Sequence, residues 1–152
     1  MENILQFLRP YHVFLVPIAV WFITQGVKIL VYSIKHGWNI IENTHHLGYG
    51  HMPSAHTSFV VSLATSVGYF FGLGSGAFAV AVVFAIITID DSVRLRMQIG
   101  YQGKYINILI DELKLKKEFP YLKERLGHRV SEVIAGGALG FVLTMVLVRI
   151  LG

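Results

Sequence analysis

The chain contains no cysteine, and only 14% of its residues are charged. Without thiols, disulfides and thiolate catalysis are excluded, and the redox compartment stays undetermined. The charged fraction lies below the roughly 25% of a typical soluble domain. The net charge is only +4, and the sequence carries no nucleic-acid-binding signature, internal repeat or low-complexity stretch. We therefore expect no nucleic-acid partner. Hydrophobic residues form 54% of the chain.

The apolar residues gather in four blocks, at about 13–34, 57–73, 76–91 and 130–151. A membrane-spanning helix needs about 20 mostly apolar residues, so the outer blocks are long enough, and the middle two need a turn of flanking residues. Lys28 inside the first block, with no small-residue cleavage site, argues against a signal peptide. The sequence predicts one all-α domain over residues 1–152, an integral membrane helical bundle of about four transmembrane helices in the lipid bilayer.

Lysine and arginine are distributed unevenly between the connecting segments. With four spans, ten of them lie in the segments 34–53 and 92–129, and two, Arg9 and Arg149, lie on the other side. The positive-inside rule then places the two long segments at the cytoplasmic face, in what we expect to be a bacterial cytoplasmic membrane. This orientation requires an even number of spans.

Two features of the connections bear on the architecture. The run Gly72-Leu73-Gly74-Ser75-Gly76 predicts a tight hairpin between the second and third spans. Residues Lys104–Glu118 fit a cytoplasmic amphipathic helix, on the membrane surface or over the site, with one apolar stripe of Ile106, Leu109, Ile110 and Leu113.

Pairs of glycines four residues apart allow helices to approach closely in lipid. The chain has two such pairs, Gly68/Gly72 and Gly136/Gly140. They indicate either close packing inside one bundle or a face for a homo-oligomer.

Two short histidine motifs lie where a polar loop becomes an apolar block. In the second motif, His128 and Glu132 are four residues apart and share one face of a helix. A carboxylate placed in this way can hold one imidazole nitrogen and leave the other free to attack an electrophile. The alternative is a histidine at a helix end beside a solvated glutamate.

The first motif is Pro53-Ser54-Ala55-His56, in which Pro53 can occupy the first position of a helix. Free N–H groups at a helix start favour an anion such as phosphate, and Ser54 can donate a further hydrogen bond. His56 is placed to give a proton to a leaving oxygen. The alternative is a capped helix start with an interfacial histidine.

Cations lie near these motifs. Lys28 sits inside an apolar block, where a cation costs several kcal/mol unless it is paired or faces a polar cavity. The alternative is a side chain that extends to the membrane interface. Arg94 and Arg96 follow Asp90 and Asp91 at the end of the third block, and arginine suits bidentate binding of phosphate. The alternative is a plain anchor at the cytoplasmic face.

Four histidines, His45, His46, His51 and His56, raise the option of a metal site. Their spacing is irregular, and no carboxylate pattern accompanies them. We therefore expect neither a metal nor another cofactor.

The ordered set of motifs resembles the type 2 phosphatidic acid phosphatase superfamily, which includes the vanadium haloperoxidases. Pro53-Ser54-Ala55-His56 is similar to its Pro-Ser-Gly-His motif, His128 with Glu132 to its third motif, and Lys28 with Lys35-His36 to its first. The closer resemblance, over roughly residues 25–140, is to a small, divergent bacterial and plastid branch. Its motifs correspond here to Gly50-His51-Met52-Pro53-Ser54-Ala55-His56-Thr57, Asp91 with Arg96 and Gly100-Tyr101-Gln102, and Leu126-Gly127-His128 with Glu132-Val133.

The resemblance implies a metal-independent phosphatase that acts on a membrane lipid phosphate or pyrophosphate. It implies that His128 attacks phosphorus and forms a phosphohistidine. It also implies that Glu132 orients His128, and that His56 protonates the leaving alkoxide and then activates water. The implied phosphate-binding residues are Lys28, Lys35, Ser54 and one of Arg96, Arg94 and Arg125, with Asp91 and Pro53 in support. Positioned cations and N–H groups are what phosphoryl transfer mainly needs.

The chain also departs from the superfamily pattern. Leu122 stands where the superfamily has an arginine, six residues before the attacking histidine, Lys35-His36 replaces Arg-Pro, and Glu132 replaces an aspartate. About four spans replace the usual six, and a cytoplasmic site is opposite to the usual orientation. A second hypothesis is therefore a non-enzymatic protein that binds or transports lipid phosphates, and a third is a membrane structural or assembly factor.

Overall fold

The computed structural model describes residues 11–36, 52–115, 119–124 and 126–151. Within these ranges the chain is helical and has no strand. The helices are α1 (His12–His36), α2 (Ala55–Phe71), α3 (Gly76–Asp90), α4 (Arg96–Glu112) and α5 (Val130–Leu151), and a short π-helix (Asp91–Leu95) joins α3 to α4. The all-α class is therefore as the sequence predicts.

In the part of the chain that the structure describes, three helical stretches are long and apolar enough to cross a membrane, namely His12–Ile34, Gly76–Glu112 and Val130–Ile150. The second has 37 residues, about 55 Å at 1.5 Å per residue, so it extends well beyond a hydrocarbon core about 30 Å thick. α2 has only 17 residues, or about 25 Å. The protein is an integral membrane bundle, and the count of four spans stays a prediction.

The predicted hairpin joins α2 to α3. Gly72 ends α2 with a φ of 85°, in the left-handed region that glycine adopts without strain. Ser75 caps α3, because its Oγ accepts a hydrogen bond from the N–H of Phe78 at 3.1 Å and donates one to the carbonyl of Gly72 at 2.8 Å. The turn therefore brings α3 back against α2.

α2 is the centre of the bundle and packs against α1, α3 and α5. One stripe of α2 carries a fully buried serine at every fourth position, namely Ser54, Ser58, Ser62 and Ser66. The hydroxyl of Ser58 lies 2.8 Å from that of Thr24 in α1, and Ser62 accepts a hydrogen bond from Thr144 in α5 at 2.6 Å. Hydrogen bonds between hydroxyl groups therefore connect α2 to α1 and to α5 in the middle of the bundle.

Glycines of α5 face this serine stripe. A Cβ on Gly136 would lie 2.4 Å from the carbonyl oxygen of Ser54, and a Cβ on Gly140 would lie 2.4 Å from that of Ser58. Only glycine permits so close an approach of the two backbones. This pair packs inside the bundle, which is the first of the two alternatives raised above, and a homo-oligomer stays a prediction.

The helix that follows the π-helix differs from its prediction. α4 begins at Arg96 and ends at Glu112, so the predicted limits of 104 and 118 are wrong. The predicted apolar stripe is exposed except at Ile110, and the buried face consists of Gly100, Gly103, Asn107 and Ile110. The physical reason is that residues 122–124 pass across the two glycines of this helix.

Candidate active site

His128 and Glu132 form a buried pair at one end of the bundle. Nδ1 of His128 lies 2.9 Å from Oε2 of Glu132, and their side chains are only 8% and 7% exposed. The same Oε2 accepts a hydrogen bond from the backbone N–H of Arg129 at 3.2 Å. Because the carboxylate engages Nδ1, Nε2 is the imidazole nitrogen left for chemistry.

The π-helix holds the backbone of His128. The N–H of His128 donates to the carbonyl of Ser92 at 3.1 Å, and the buried Ser92 hydroxyl donates to the carbonyl of Ile89 at 2.8 Å. A Cβ on Gly127 would lie 2.9 Å from Cγ of Met97, so glycine is needed for this approach. Sequence reasoning missed Ser92, since a single buried serine carries no pattern.

Ser54 caps α2 and connects the two histidine motifs. Its Oγ accepts hydrogen bonds from the N–H of Thr57 at 3.4 Å and from the Thr57 hydroxyl at 3.0 Å. Pro53 therefore precedes the cap, and the prediction that it occupies the first helical position is wrong. The N–H of Ser54 donates to the carbonyl of Glu132 at 3.0 Å. This bond ties the start of α2 directly to the His128–Glu132 pair.

His56 is exposed at the start of α2, outside the apolar part of that helix. Partial desolvation lowers the pKa of its imidazole below the ordinary value of 6.5, and the charges of Arg96, His128 and Lys28 lower it further. The carboxylate of Asp91 acts in the opposite direction. These side chains thus act on one another at the same end of the bundle. They come from α1, α2, the π-helix, α4 and the start of α5.

Lys28 lies inside the bundle and is only 6% exposed. Its ammonium interacts electrostatically with the carboxylate of Glu132. Lys28 and the His128–Glu132 pair are therefore close enough for their charges to interact. Lys35 belongs to the last turn of α1, and its side chain lies outside the described part of the structure.

The side chains of Arg94 and Arg96, which follow α3, form different ion pairs and differ in exposure. Nε of Arg96 donates to Oδ2 of Asp91 at 3.3 Å, across the five-residue spacing that a π-helix places on one face. Arg94 instead pairs with Asp90 at 2.9 Å, and 79% of its side chain is exposed. Of the two, Arg96 is the one whose charge acts on His56. The π-helix, which sequence reasoning missed, makes this distinction.

Asn107 fixes the segment that leads back to His128. Its Nδ2 donates to the carbonyl of Leu122 and to Oε1 of Glu124, both at 2.9 Å, and its Oδ1 accepts from the N–H of Leu122 at 2.8 Å. A Cβ on Gly100 would lie 2.3 Å from the carbonyl oxygen of Glu124. Sequence reasoning missed this contact, although the helical spacing of Gly100, Gly103 and Asn107 was a usable signal.

Cavities occur at this end of the bundle. One of about 890 Å³ is lined by the end of α3, by the π-helix with Asp91 and Arg94, and by the start of α4. Another of about 220 Å³ lies beside His128, between α4 and the returning segment. Among the residues that the structure describes, no three His, Asp or Glu side chains are grouped to hold a metal ion. The candidate ligands His45, His46 and His51 lie outside the described residues.

The model of a family described as the divergent PAP2 family matches residues 10–143. The chain is similar to the uncharacterized membrane protein YuiD of Bacillus subtilis (strain 168), with 36% identity over 139 residues, which cover 81% of this chain and 85% of YuiD. No solved structure matches the chain.

Proposed function

Because the chain belongs to the divergent PAP2 family, we propose that it removes the phosphate from a membrane lipid phosphate or pyrophosphate. One observation carries the proposal. The buried His128–Glu132 pair, at 2.9 Å, is tied to the His56 motif by the hydrogen bond from Ser54 to the Glu132 carbonyl. A nucleophile oriented by a carboxylate, beside a second histidine that can carry a proton, is the arrangement that covalent phosphoryl transfer uses.

In the first step Nε2 of His128 attacks phosphorus, and the bond from phosphorus to the lipid oxygen breaks. Protonated His56 gives its proton to the leaving alkoxide. Glu132 accepts the hydrogen bond from Nδ1–H of His128 and stabilises the positive charge that develops on the ring. The products are a phosphohistidine and the lipid alcohol.

In the second step His56, now neutral, takes a proton from a water molecule whose oxygen attacks the phosphohistidine. The N–P bond breaks, His128 returns to its starting form, and inorganic phosphate leaves. In both steps the cations Arg96 and Lys28 neutralise charge on the phosphoryl oxygens.

Arg96 supplies, in this proposal, the charge that the superfamily takes from an arginine at the place of Leu122. Three observations support this assignment. Arg96 is held by Asp91 and acts on His56, whereas the backbone of Leu122 is bound by Asn107. Ser54 contributes by capping α2 and orienting the start of the helix, since its hydroxyl is buried against Thr57.

We place the reaction at the cytoplasmic face of a bacterial cytoplasmic membrane. With four spans, ten of the lysines and arginines lie on the side of the two histidine motifs, which the positive-inside rule assigns to the cytoplasm. The substrate is then a lipid phosphate of the inner leaflet.

The test is phosphate release from a panel of lipid phosphates by the purified full chain in detergent with a metal chelator. We expect release by the wild type and a loss of at least about 1,000-fold in His128→Ala, as in other sites that lose their nucleophile. Glu132→Gln should lose less, since the histidine remains. Arg96→Gln should lower release, whereas Arg149→Gln, at the other end of α5, should not.

A radiolabelled lipid phosphate should also leave acid-labile label on the wild type and none on His128→Ala. Release that survives His128→Ala would overturn the mechanism. Binding of lipid phosphate without release by the wild type would instead support the non-enzymatic lipid-phosphate-binding protein.

A further inference from the structure

α3 is placed differently from the other apolar helices. It packs extensively against α2 but not against α5, although its end is joined to the start of α5 through Ser92 and His128. A cleft of about 710 Å³ therefore remains between α3 and α5. We call it the α3–α5 groove. Its floor on α2 includes Ala64. Its α3 wall includes Val82, Ile86 and Ile89, and its α5 wall includes Phe141 and Met145.

The groove leads to the candidate active site. Ile86 lines both the groove and the 890 Å³ cavity that contains Asp91. The floor begins at Val61, five residues after His56, which is about 7.5 Å of helix rise. At the upper end of the α3 wall, the carbonyl of Ile89 accepts a hydrogen bond from the Ser92 hydroxyl, and the carbonyl of Ser92 accepts one from the N–H of His128.

The groove has the depth of one lipid leaflet. Its α3 wall runs from Phe78 to Ile89, about 16 Å of helix rise, against about 15 Å for half of the hydrocarbon core. Its lining is apolar apart from the hydroxyls of Thr65 and Tyr69, and Thr65 donates to the carbonyl of Val61 at 2.8 Å. Such a lining suits a hydrocarbon chain better than a charged headgroup.

We propose that the α3–α5 groove seats one hydrocarbon chain of the lipid phosphate while the phosphate lies between His56 and His128. The proposal rests on the proposed function of that site. An apolar groove is no better a solvent for the chain than the surrounding lipid. The groove therefore acts by position, because a seated chain holds the phosphate in line with the attacking nitrogen.

A further apolar cavity borders α3. It has a volume of about 400 Å³, lies between α2 and α3, and extends along α3 only from Gly76 to Phe84. It shares no residue with the site or with the 890 Å³ cavity. This cavity is therefore less suited than the α3–α5 groove to a chain whose phosphate lies at the site.

The first test compares hexadecyl phosphate with butyl phosphate as substrates of the full chain. Ala64→Phe places a ring on the groove floor, and Val83→Phe adds the same ring on the outer face of α3, where Val83 is 55% exposed. We expect Ala64→Phe to lower kcat/KM for hexadecyl phosphate about tenfold or more, as misplacement of a reacting group does. Butyl phosphate should be unaffected, and Val83→Phe should change neither substrate. An equal loss for both substrates, or no loss, would overturn the proposal.

A second measurement separates this proposal from the proposed function. If the wild type releases phosphate from neither substrate, the proposed function fails and the groove is tested by binding alone. The full chain in phosphatidylcholine vesicles is irradiated with hexadecyl phosphate that carries a diazirine in its chain. Labelling should concentrate on Val82, Ile86 and Phe141 over the outward Val83, and Ala64→Phe should reduce it. Uniform labelling, or the same pattern with diazirine-labelled phosphatidylcholine, would refute a site for the lipid phosphate.

Discussion

The two faces of α2 are built in opposite ways. Towards α1 and α5 the helix presents serines and meets glycines and threonines, with hydroxyl–hydroxyl distances of 2.6 to 2.8 Å. Towards α3 it presents apolar side chains and leaves the α3–α5 groove beside the contact. Within lipid, helices associate through close packing and hydrogen bonds rather than through a hydrophobic effect. The polar face therefore fixes the positions of the helices, and the apolar face leaves space.

The position of the site follows from this difference. Glu132 and Ser54 are joined on the closely packed face, so the His128–Glu132 pair and the start of α2 are held together. Asp91 and Arg96 come from the other side, through the π-helix, and are more exposed. The chain thus combines a rigid pair of histidine motifs with a cation on a more accessible element.

Among the contacts between helices, the largest expected effect comes from separating α2 and α5. Gly136→Val would place side-chain atoms inside the contact with the Ser54 carbonyl, where even a Cβ lies at 2.4 Å. We expect phosphate release to fall about 100-fold or more, since displacement of a catalytic group by about 1 Å has effects of that size. The melting temperature in detergent should fall as well, because overpacking costs about 1–3 kcal/mol.

Gly137→Ala is the matched control for Gly136→Val. Its Cβ would meet side-chain atoms of Thr57 and Val61 at 3.7 and 3.8 Å, which are ordinary contacts. This variant should keep both its activity and its melting temperature. Normal activity in Gly136→Val would mean that the closely packed face does not hold the site together.

Asn107→Ala tests the other side of the site. The substitution removes the bonds to Leu122 and Glu124 and leaves the Leu122 N–H and carbonyl without the asparagine. We expect a loss of about 1–3 kcal/mol in the stability of this segment, and a roughly tenfold decrease in kcat. Hydrogen exchange of residues 119–128 should rise, whereas the exposed Gln102→Ala on the same helix should change neither quantity. Unchanged exchange would show that the glycine contacts alone hold the segment.

Part of this arrangement was predictable because it is local. A spacing of four residues determines that His128 and Glu132 share a helix face, and the glycine run at 72–76 determines the hairpin. The resemblance based on the ordered motifs was likewise confirmed by the match over residues 10–143. Each of these features depends on residues that are close in sequence or on their order.

The rest depended on contacts that no local pattern encodes. Arg94 pairs with the aspartate four residues before it, whereas Arg96, just after the π-helix, pairs with the aspartate five residues before it. The sequence does not predict this difference between the two arginines. The buried face of α4 is set by residues 122–124, which return across Gly100 and Gly103, and the apolar stripe in the sequence does not report that contact. The α3–α5 groove arises from the placement of whole helices, which hydropathy does not report.

A smaller effect concerns the charge balance at His56, which lies where the two faces of α2 meet the site. Its pKa is lowered by partial desolvation, by Arg96 and by its other cationic neighbours, and is raised by Asp91. Arg96→Gln removes a positive charge and should move the pKa upward, whereas Asp91→Asn should move it downward. The measurement is an NMR titration of histidine-labelled protein, with the His56 signal assigned from His56→Gln. Shifts in the same direction for both variants would contradict the proximity of these charges.

The smallest effect lies inside the serine stripe itself. Ser66 is fully buried, and it is the one buried side-chain polar group in the described residues whose oxygen has no hydrogen-bond partner. Ser66→Ala should therefore leave the melting temperature unchanged or raise it, since an unsatisfied buried hydroxyl costs about 1–3 kcal/mol. Thr144→Val, which removes the 2.6 Å bond to Ser62, should instead lower stability by about 0.6 kcal/mol, the average for such bonds between membrane helices. Equal losses in the two variants would mean that Ser66 has a partner, and that the polar face of α2 extends one turn further from the site than its hydroxyl pairs indicate.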